Sequence, residues 1–496
     1  MEYHLLTYSL LFLPAILLLY QLTAVKFRWV LLLAADYVFF WMISGKLIVY
    51  LLLATMITYL TGAATDYVST HSKVKGRQLT RRKRMVLATG ILINLSMLIV
   101  FKYFKLIGIH FIAPIGISYY TLQTISYMTD VYRKTIPADR HPGRVALYLS
   151  YFPQIIEGPI SRYSEVAHEL FAGKNLEYSN IVSGYQRILW GLFKKMMVAD
   201  HLAPGVHTIF SHPDHYDGSA ILLGAALFTI QLYTEFSGCM DIIIGSGEAF
   251  GIKLPENFRQ PFFASNASDF WRRWHITLGT WLKDYIFYPI SLAKPLKKLS
   301  KRVKKAFGIG VSKMVAPTIA LFFVWLCNGI WHGAGLTYLF YGMYYFVLIF
   351  AETITEPFFE SIYKKHNITD KNILLRTVRG VKLFIIVIIG EMFFRATTLA
   401  QGFSMLKQIC FDFHISSVLA NNIKIDNYDL IITACAILIV FIVDILHEMN
   451  ISIRKKIACL QLPMRWAIWY AMIFGIVIFG AYGAGYTIVD MIYAAY

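Results

Sequence analysis

Two histidines set among tryptophans are the residues of this 496-residue chain best placed to do chemistry. His332 stands in NGIWHGAG, at the end of the apolar run VAPTIALFFVWLC, and His275 follows Trp274 in DFWRRWHITLGTWL. A histidine in such a setting is a packed core residue, a metal ligand, a proton relay or a general base. A metal site needs several converging ligands. No His-x3-His or cysteine pair lies near either histidine, and the five cysteines (239, 327, 410, 435 and 459) are scattered, so neither a metal centre nor a disulfide framework is expected. A relay asks for carboxylates spaced along the path. Glu157, Glu235 and Asp241 are candidates, without a repeated spacing. A general base asks for less: a neutral imidazole within reach of an attacking hydroxyl, which burial in an apolar site favours. Gly329, Gly333 and Gly335 around His332 let a substrate or another backbone come close. Acyl transfer, with His332 deprotonating an alcohol that attacks a thioester, is therefore compatible with these residues, as is a structural role.

The elements that must position these histidines lie in a membrane. The chain is 57% hydrophobic and only 15% charged, far from an ordinary soluble domain. Apolar stretches of roughly 17–25 residues, enough to cross about 30 Å of hydrocarbon, recur along it. They predict an all-α polytopic membrane protein with about 11 transmembrane helices plus re-entrant or interfacial helices. The segments fall near residues 4–22, 29–44, 47–66, 85–107, 112–130, 184–200, 219–247, 315–331, 334–352, 381–395, 428–447 and 466–485, at least one of them dipping in and returning. The first lacks a preceding basic region and a following A-x-A site, and reads as a retained helix. No second, soluble domain is evident. Residues 1–496 read as one integral-membrane domain of N-terminal helices (1–107), a central region (108–352) and C-terminal helices (353–496).

The formal charge of +18 arises from 47 Lys and Arg against 29 Asp and Glu. The basic blocks 73–84, 294–305 and 364–382 are short loops that mark the cytoplasmic side. They set the N-terminus outside, two spans between 305 and 364, and the C-terminus outside after Gly485. HPDHYDGS (212–219) then falls on the outer side. Nucleic acid is not an expected partner, since no soluble basic face with aromatic platforms is present.

Three stretches break the pattern of a lipid-facing helix. YFPQIIEGPISRY (151–163) carries two prolines and a glycine, so its freed backbone groups must be packed in protein or line a wet cavity. TIQLYTEFSGCMDIIIG (229–245) places Gln231, Glu235 and Asp241 in an apolar run, where ionisable groups face a bundle interior. NFRQPFFASNASDFWRRWHITLGTWLKDYIFYPI (257–290) has Trp271, Trp274, Trp281 and Tyr285 at helical spacing beside arginines, as at a membrane–water interface.

This last stretch, together with WHG after an apolar span, resembles the signature of the membrane-bound O-acyltransferase (MBOAT) family. The resemblance extends through ISYYTLQTISYMTDVYR (117–133), YFPQIIEGPISR (151–162) and FFRATTLAQGFSML (393–406), covering most of the chain from about residue 110. It is strongest to the bacterial branch that serves polysaccharide O-acetylation and teichoic acid D-alanylation, and the long region after residue 380 is similar to the acetylating type. It implies a ring of helices around a central tunnel, with His332 at the family's near-invariant histidine and His275 at its second active-site position. Trp331, Asn328, Trp271, Trp274, Glu157 and Asp241 are the candidate substrate-binding residues, Asp241 with a structural part. The resemblance implies no bound cofactor or metal. An acyl thioester, acetyl-CoA or a carrier protein's phosphopantetheine arm, would arrive from the cytoplasm. An extracytoplasmic SGNH-type acetyltransferase and a polysaccharide acceptor would stand on the far side of a bacterial cytoplasmic (inner) membrane. YTEFSGCMD departs from the branch's usual YxDFSGYSD at Glu235, Cys239 and Met240, so no role is carried to those three. The alternatives are D-alanyl transfer to teichoic acid and, outside enzymes, a transporter, for which the inverted repeats are not visible.

Overall fold

The computed structural model describes residues 7–367, 372–415 and 426–482, so the C-terminal end expected outside after Gly485 lies outside the described residues. Among the described residues the regular structure is helical, the only β pairing being an isolated bridge between Phe258 and Trp274. The chain divides into two compact units: the described residues up to Leu192 with Phe236–Glu256, and Phe193–Glu235 with the described residues from Asn257 onward.

The first unit opens with α1 (Leu13–Leu22), α2 (Arg28–Ser44), α3 (Ile48–His71) and α4 (Gly76–Tyr103). The expected spans 29–44 and 47–66 are α2 and α3, separated where Gly45 takes φ 53°. Next come α5 (Ile117–Arg133), α6 (Pro142–Ser150), α7 (Tyr163–Ala172) and α8 (Tyr178–Lys194). α5 is buried from Ile117 to Val131, which accounts for serines, threonines and Gln123 in a segment expected to span. Burial on every face lets polar groups find protein partners where lipid offers none.

Residues 151–162, between α6 and α7, form no helix and are buried throughout, as the prolines require. Their backbone is satisfied by protein: Phe152 N–H donates to Asp36 Oδ1 (2.8 Å), Gly158 N–H to the Gln154 carbonyl (2.9 Å), and Tyr148 O–H to the Ser161 carbonyl (2.9 Å).

α9 (Asp200–Ser211) precedes α10 (Gly218–Ala249), whose chain passes from the second unit into the first at Phe236. Within the first unit α8 and α10 cross closely. A Cβ on Gly184 or Gly191 would collide with the carbonyls of Gly245 or Gly238, the small-residue contact that lets helix backbones touch. Arg187, between those glycines, pairs with Asp241 at 2.9 Å and with Glu256 at 2.6 Å.

The second unit continues with α11 (Ala267–Arg273), α12 (Ile276–Leu282), α13 (Tyr288–Ser291), α14 (Lys294–His332), α15 (Leu336–Lys365), α16 (Ile373–Arg395) and α17 (Leu399–Phe411), followed by helices Asn427–Glu448 and Leu462–Phe479. α14 is interrupted at Gly308, φ 83°, which separates its exposed lysine-rich start from its apolar half. Glu235 lies here with Lys195, 3.7 Å away, and Lys195 also donates to Asp200 at 2.7 Å.

Against the expectation of about 11 spans, seven helices among the described residues are long and apolar enough to cross a membrane, counting Val25–His71 as one run. Tyr8–Leu22 is a shorter apolar helix. The apolar window of α10 is 72% buried and that of α14 only 11%. The apolar window of α10 is thus largely covered by protein and that of α14 largely exposed.

Candidate active site

The two histidines are positioned within the second unit by α11, α12, α14, α15 and α16. α11 begins where Asn266 Oδ1 accepts the Asp269 N–H at 2.7 Å, and Glu352 of α15 accepts the Ala267 N–H at 3.0 Å. The first-turn donors that a helix leaves open are so satisfied, and α11 is tied to α15.

At its other end the Phe258–Trp274 bridge turns the chain, and His275 takes left-handed backbone, φ 46°, just before α12. Asn257 holds it there. Its Oδ1 accepts the Thr277 N–H at 3.0 Å and the Thr277 hydroxyl at 2.9 Å and lies 3.2 Å from His275 Nδ1, while its carbonyl accepts the Ile276 N–H at 3.0 Å. Asn257 therefore caps α12 from a distance, in place of His275, whose side chain makes no cap bond. With Oδ1 as acceptor, Nδ1 of His275 carries the hydrogen and Nε2 the lone pair. Burial pushes this imidazole down, to about 3, so the ring is neutral at physiological pH.

His332 closes α14 and is 2% exposed. Its ring meets Phe394 of α16 at 5.3 Å and Tyr341 of α15 at 5.9 Å, both edge-on. Trp331 links the two histidines, with ring centroids 5.8 Å from His275 and 5.0 Å from His332. One turn before His332, a Cβ on Gly329 would come within 2.5 Å of the Tyr338 carbonyl oxygen, and one on Gly333 would run into the Tyr338 ring. It is α15, packed against α14, that uses these glycines.

The other sequence candidates divide by place. Asn328 is 3% exposed, and its Oδ1 has no hydrogen-bond partner among the described residues. Trp271 packs against Trp325 and Tyr345, each at 4.9 Å. Trp274 is enclosed by Phe258 (5.0 Å), Phe270 (5.5 Å) and Tyr233 (6.1 Å). Glu157 and Asp241 belong to the first unit, Glu157 buried in the 151–162 connection and Asp241 in the Arg187 ion pair. Among the described residues no group of three or more His, Cys, Asp or Glu is arranged to hold a metal ion.

Sequence reasoning did not single out Asn257, Tyr341, Phe394 or Glu391. Glu391 left a signal as a carboxylate inside the apolar run before FFRA, and Asn257 and Phe394 stand inside the stretches 257–290 and 393–406 without a role being read for them. The others are ordinary residues until the fold brings them to the histidines.

A family model described as MBOAT, membrane-bound O-acyltransferase family, matches residues 138–394, which include both histidines. The chain is similar to the probable alginate O-acetylase AlgI of Pseudomonas aeruginosa, 31% identical over 417 residues, covering 80% of this chain and 72% of that one. It is 32% identical over 375 residues to the peptidoglycan O-acetyltransferase of Helicobacter pylori, covering 68% and 66%. Likeness to the teichoic acid D-alanyltransferase of Bacillus subtilis is 29% over 259 residues, covering 51% and 62%.

Proposed function

This chain belongs to the membrane-bound O-acyltransferase family, and from that premise we propose that it passes an acetyl group across the membrane for O-acetylation of an extracellular or cell-wall polysaccharide. It is a multi-pass membrane acyltransferase; the acetyl group, the direction and the acceptor are the proposal. The observation that carries it is the meeting of His275 and His332 on Trp331, inside the segment the family shares. The longer match to the acetylating relatives than to the D-alanylating one favours acetate.

In this reading a cytoplasmic thioester, acetyl-CoA or a carrier protein's phosphopantetheine arm, presents its carbonyl carbon beside His332. The neutral imidazole takes the proton of the attacking hydroxyl as the new C–O bond forms. The C–S bond breaks, and the leaving sulfur takes that proton from the imidazolium. His275, held by Asn257, orients donor or acceptor. Trp331, Asn328 and Trp271 line the binding surface, and Trp274 supports it from the core. Glu157 and Asp241 lie in the first unit, and the pairing with Arg187 gives Asp241 a structural part. A buried, water-poor setting gives the positioned groups their effect. The attacking hydroxyl would be that of an SGNH-type acetyltransferase on the outer face of a bacterial cytoplasmic membrane, which then carries the acetyl group as an ester to the polysaccharide.

The test uses cells making the wild type or His332→Ala at equal membrane levels. Mild alkali releases the esters from envelope and secreted polysaccharide, and mass spectrometry identifies the acid. Loss of a general base costs about 10²–10⁴ in rate, so acetate should vanish with the variant. D-alanine vanishing instead would give the protein the teichoic acid role. An unchanged ester pattern would remove His332 from the chemistry.

A further inference from the structure

α16 carries a carboxylate that neither the family signature nor the two-histidine chemistry uses. Glu391 is 1% exposed, and one of its oxygens, Oε1, accepts the Tyr341 hydroxyl at 3.0 Å. The other, Oε2, is buried with no hydrogen-bond partner among the described residues. A carboxyl group inside an apolar helix is costly, and an apolar side chain of similar volume would serve packing better. Its presence there calls for work done through its hydrogen bond to Tyr341.

That contact leads to His332. The Tyr341 ring stands edge-on to the His332 imidazole at 5.9 Å and 87°. One turn along α16 from Glu391, Phe394 meets the same imidazole at 5.3 Å and 84°, and Phe394 and Tyr341 touch each other at 5.1 Å. Two neighbouring rings therefore border the imidazole together, one borne by α16 and one pinned to α16 by a buried hydrogen bond. Ring edges set against a ring face restrict its plane. A phenol whose hydroxyl is anchored cannot swing away from the histidine it borders.

We propose that Glu391 is a positioning residue for acyl transfer: it anchors the Tyr341 hydroxyl so that Tyr341 and Phe394 hold the His332 imidazole in its reacting orientation. This rests on the reading of His332 as the base. Glu391 itself forms and breaks no bond.

The experiment compares Glu391→Ala, Glu391→Gln, Tyr341→Phe, Glu391→Ala/Tyr341→Phe and His332→Ala in the full chain. Membrane vesicles are supplied with acetyl-CoA as the donor probe, and alkali-released acetate is followed as acetyl-CoA is varied. A small misplacement of a catalytic group costs up to about 100-fold in rate. Glu391→Ala and Tyr341→Phe should each lower kcat about 10- to 100-fold with KM unchanged. Glu391→Gln, which keeps an acceptor for the phenol, should stay within about threefold of wild type. The double variant should be no slower than the worse single one, because both remove the same link. The proposal falls if Glu391→Ala or Tyr341→Phe turns over at the wild-type rate while His332→Ala is inactive, or if the two losses multiply. It also falls if Gln and Ala at 391 are equally slow and equally lowered in thermal midpoint. Activity in His332→Ala would overturn the base reading itself, and with it the positioning role.

Discussion

The ring of His275 lies 5.8 Å from the ring of Trp331, tilted by 59°, and the same indole borders His332 at 5.0 Å. A histidine from the turn before α12 and one from the end of α14 so share one aromatic neighbour. Trp331→Phe keeps an aromatic ring but shortens this bridge. Transfer should drop by about tenfold or more, with the thermal midpoint little changed. An unaltered rate at equal membrane level would show that the two histidines work without Trp331.

Asn257→Ala removes the acceptor of two bonds from Thr277 and frees the His275 ring. Loss of a cap of this kind destabilises by about 1–2 kcal/mol, and the His275 ring loses its fixed tautomer. Asn257→Asp keeps the acceptor and should retain most of the stability. Thermal unfolding of the detergent-solubilised variants is the measurement; equal midpoints for Ala and Asp would contradict the cap.

The neutral His275 makes stability depend on pH. Its folded-state pKa is pushed down to about 3, whereas an unfolded histidine takes up its proton near ~6.5. Between these values the unfolded chain binds more protons, so stability rises with pH and is lost as pH falls below about 6.5, by up to ~1.4 kcal/mol per unit. The thermal midpoint should therefore decline from pH 6.5 to 4.5 (roughly the window set by these values). His275→Asn should flatten that decline. If both proteins lose stability in parallel, another group is responsible.

Arg187 pairs with Asp241 at 2.9 Å, Glu248 at 3.3 Å and Glu256 at 2.6 Å, with its own side chain 11% exposed. Removing the guanidinium leaves three carboxylates together in a part-buried setting, a loss smaller than the about 3–5 kcal/mol of a fully buried pair. Arg187→Ala should accumulate poorly in the membrane, and Asp241→Asn less so, since the guanidinium keeps its other two carboxylates. Comparison of membrane yield and thermal midpoint checks this. Wild-type values for Arg187→Ala would leave Asp241 without the structural part assigned to it.

Composition and hydropathy are local properties, and they determined what they could reach: a helical chain in a membrane, a proline-broken stretch at 151–163 that had to be packed in protein or line a wet cavity, and acidic residues turned inward. Motif spacing singled out His275 and His332. Which residues meet them was not legible, because those partners come from other parts of the chain. Asn257 holds His275 across 18 positions, and Tyr341 binds Glu391 across 50. Only the packing of α14 on α15, and of α15 on α16, puts Tyr341 and Phe394 against His332. The same holds for α5, which falls in the expected span 112–130 and is buried from Ile117 to Val131. A sequence records how well each segment tolerates lipid or protein around it. Which neighbours fill that surrounding depends on long-range packing, and that was decided by the tertiary structure alone.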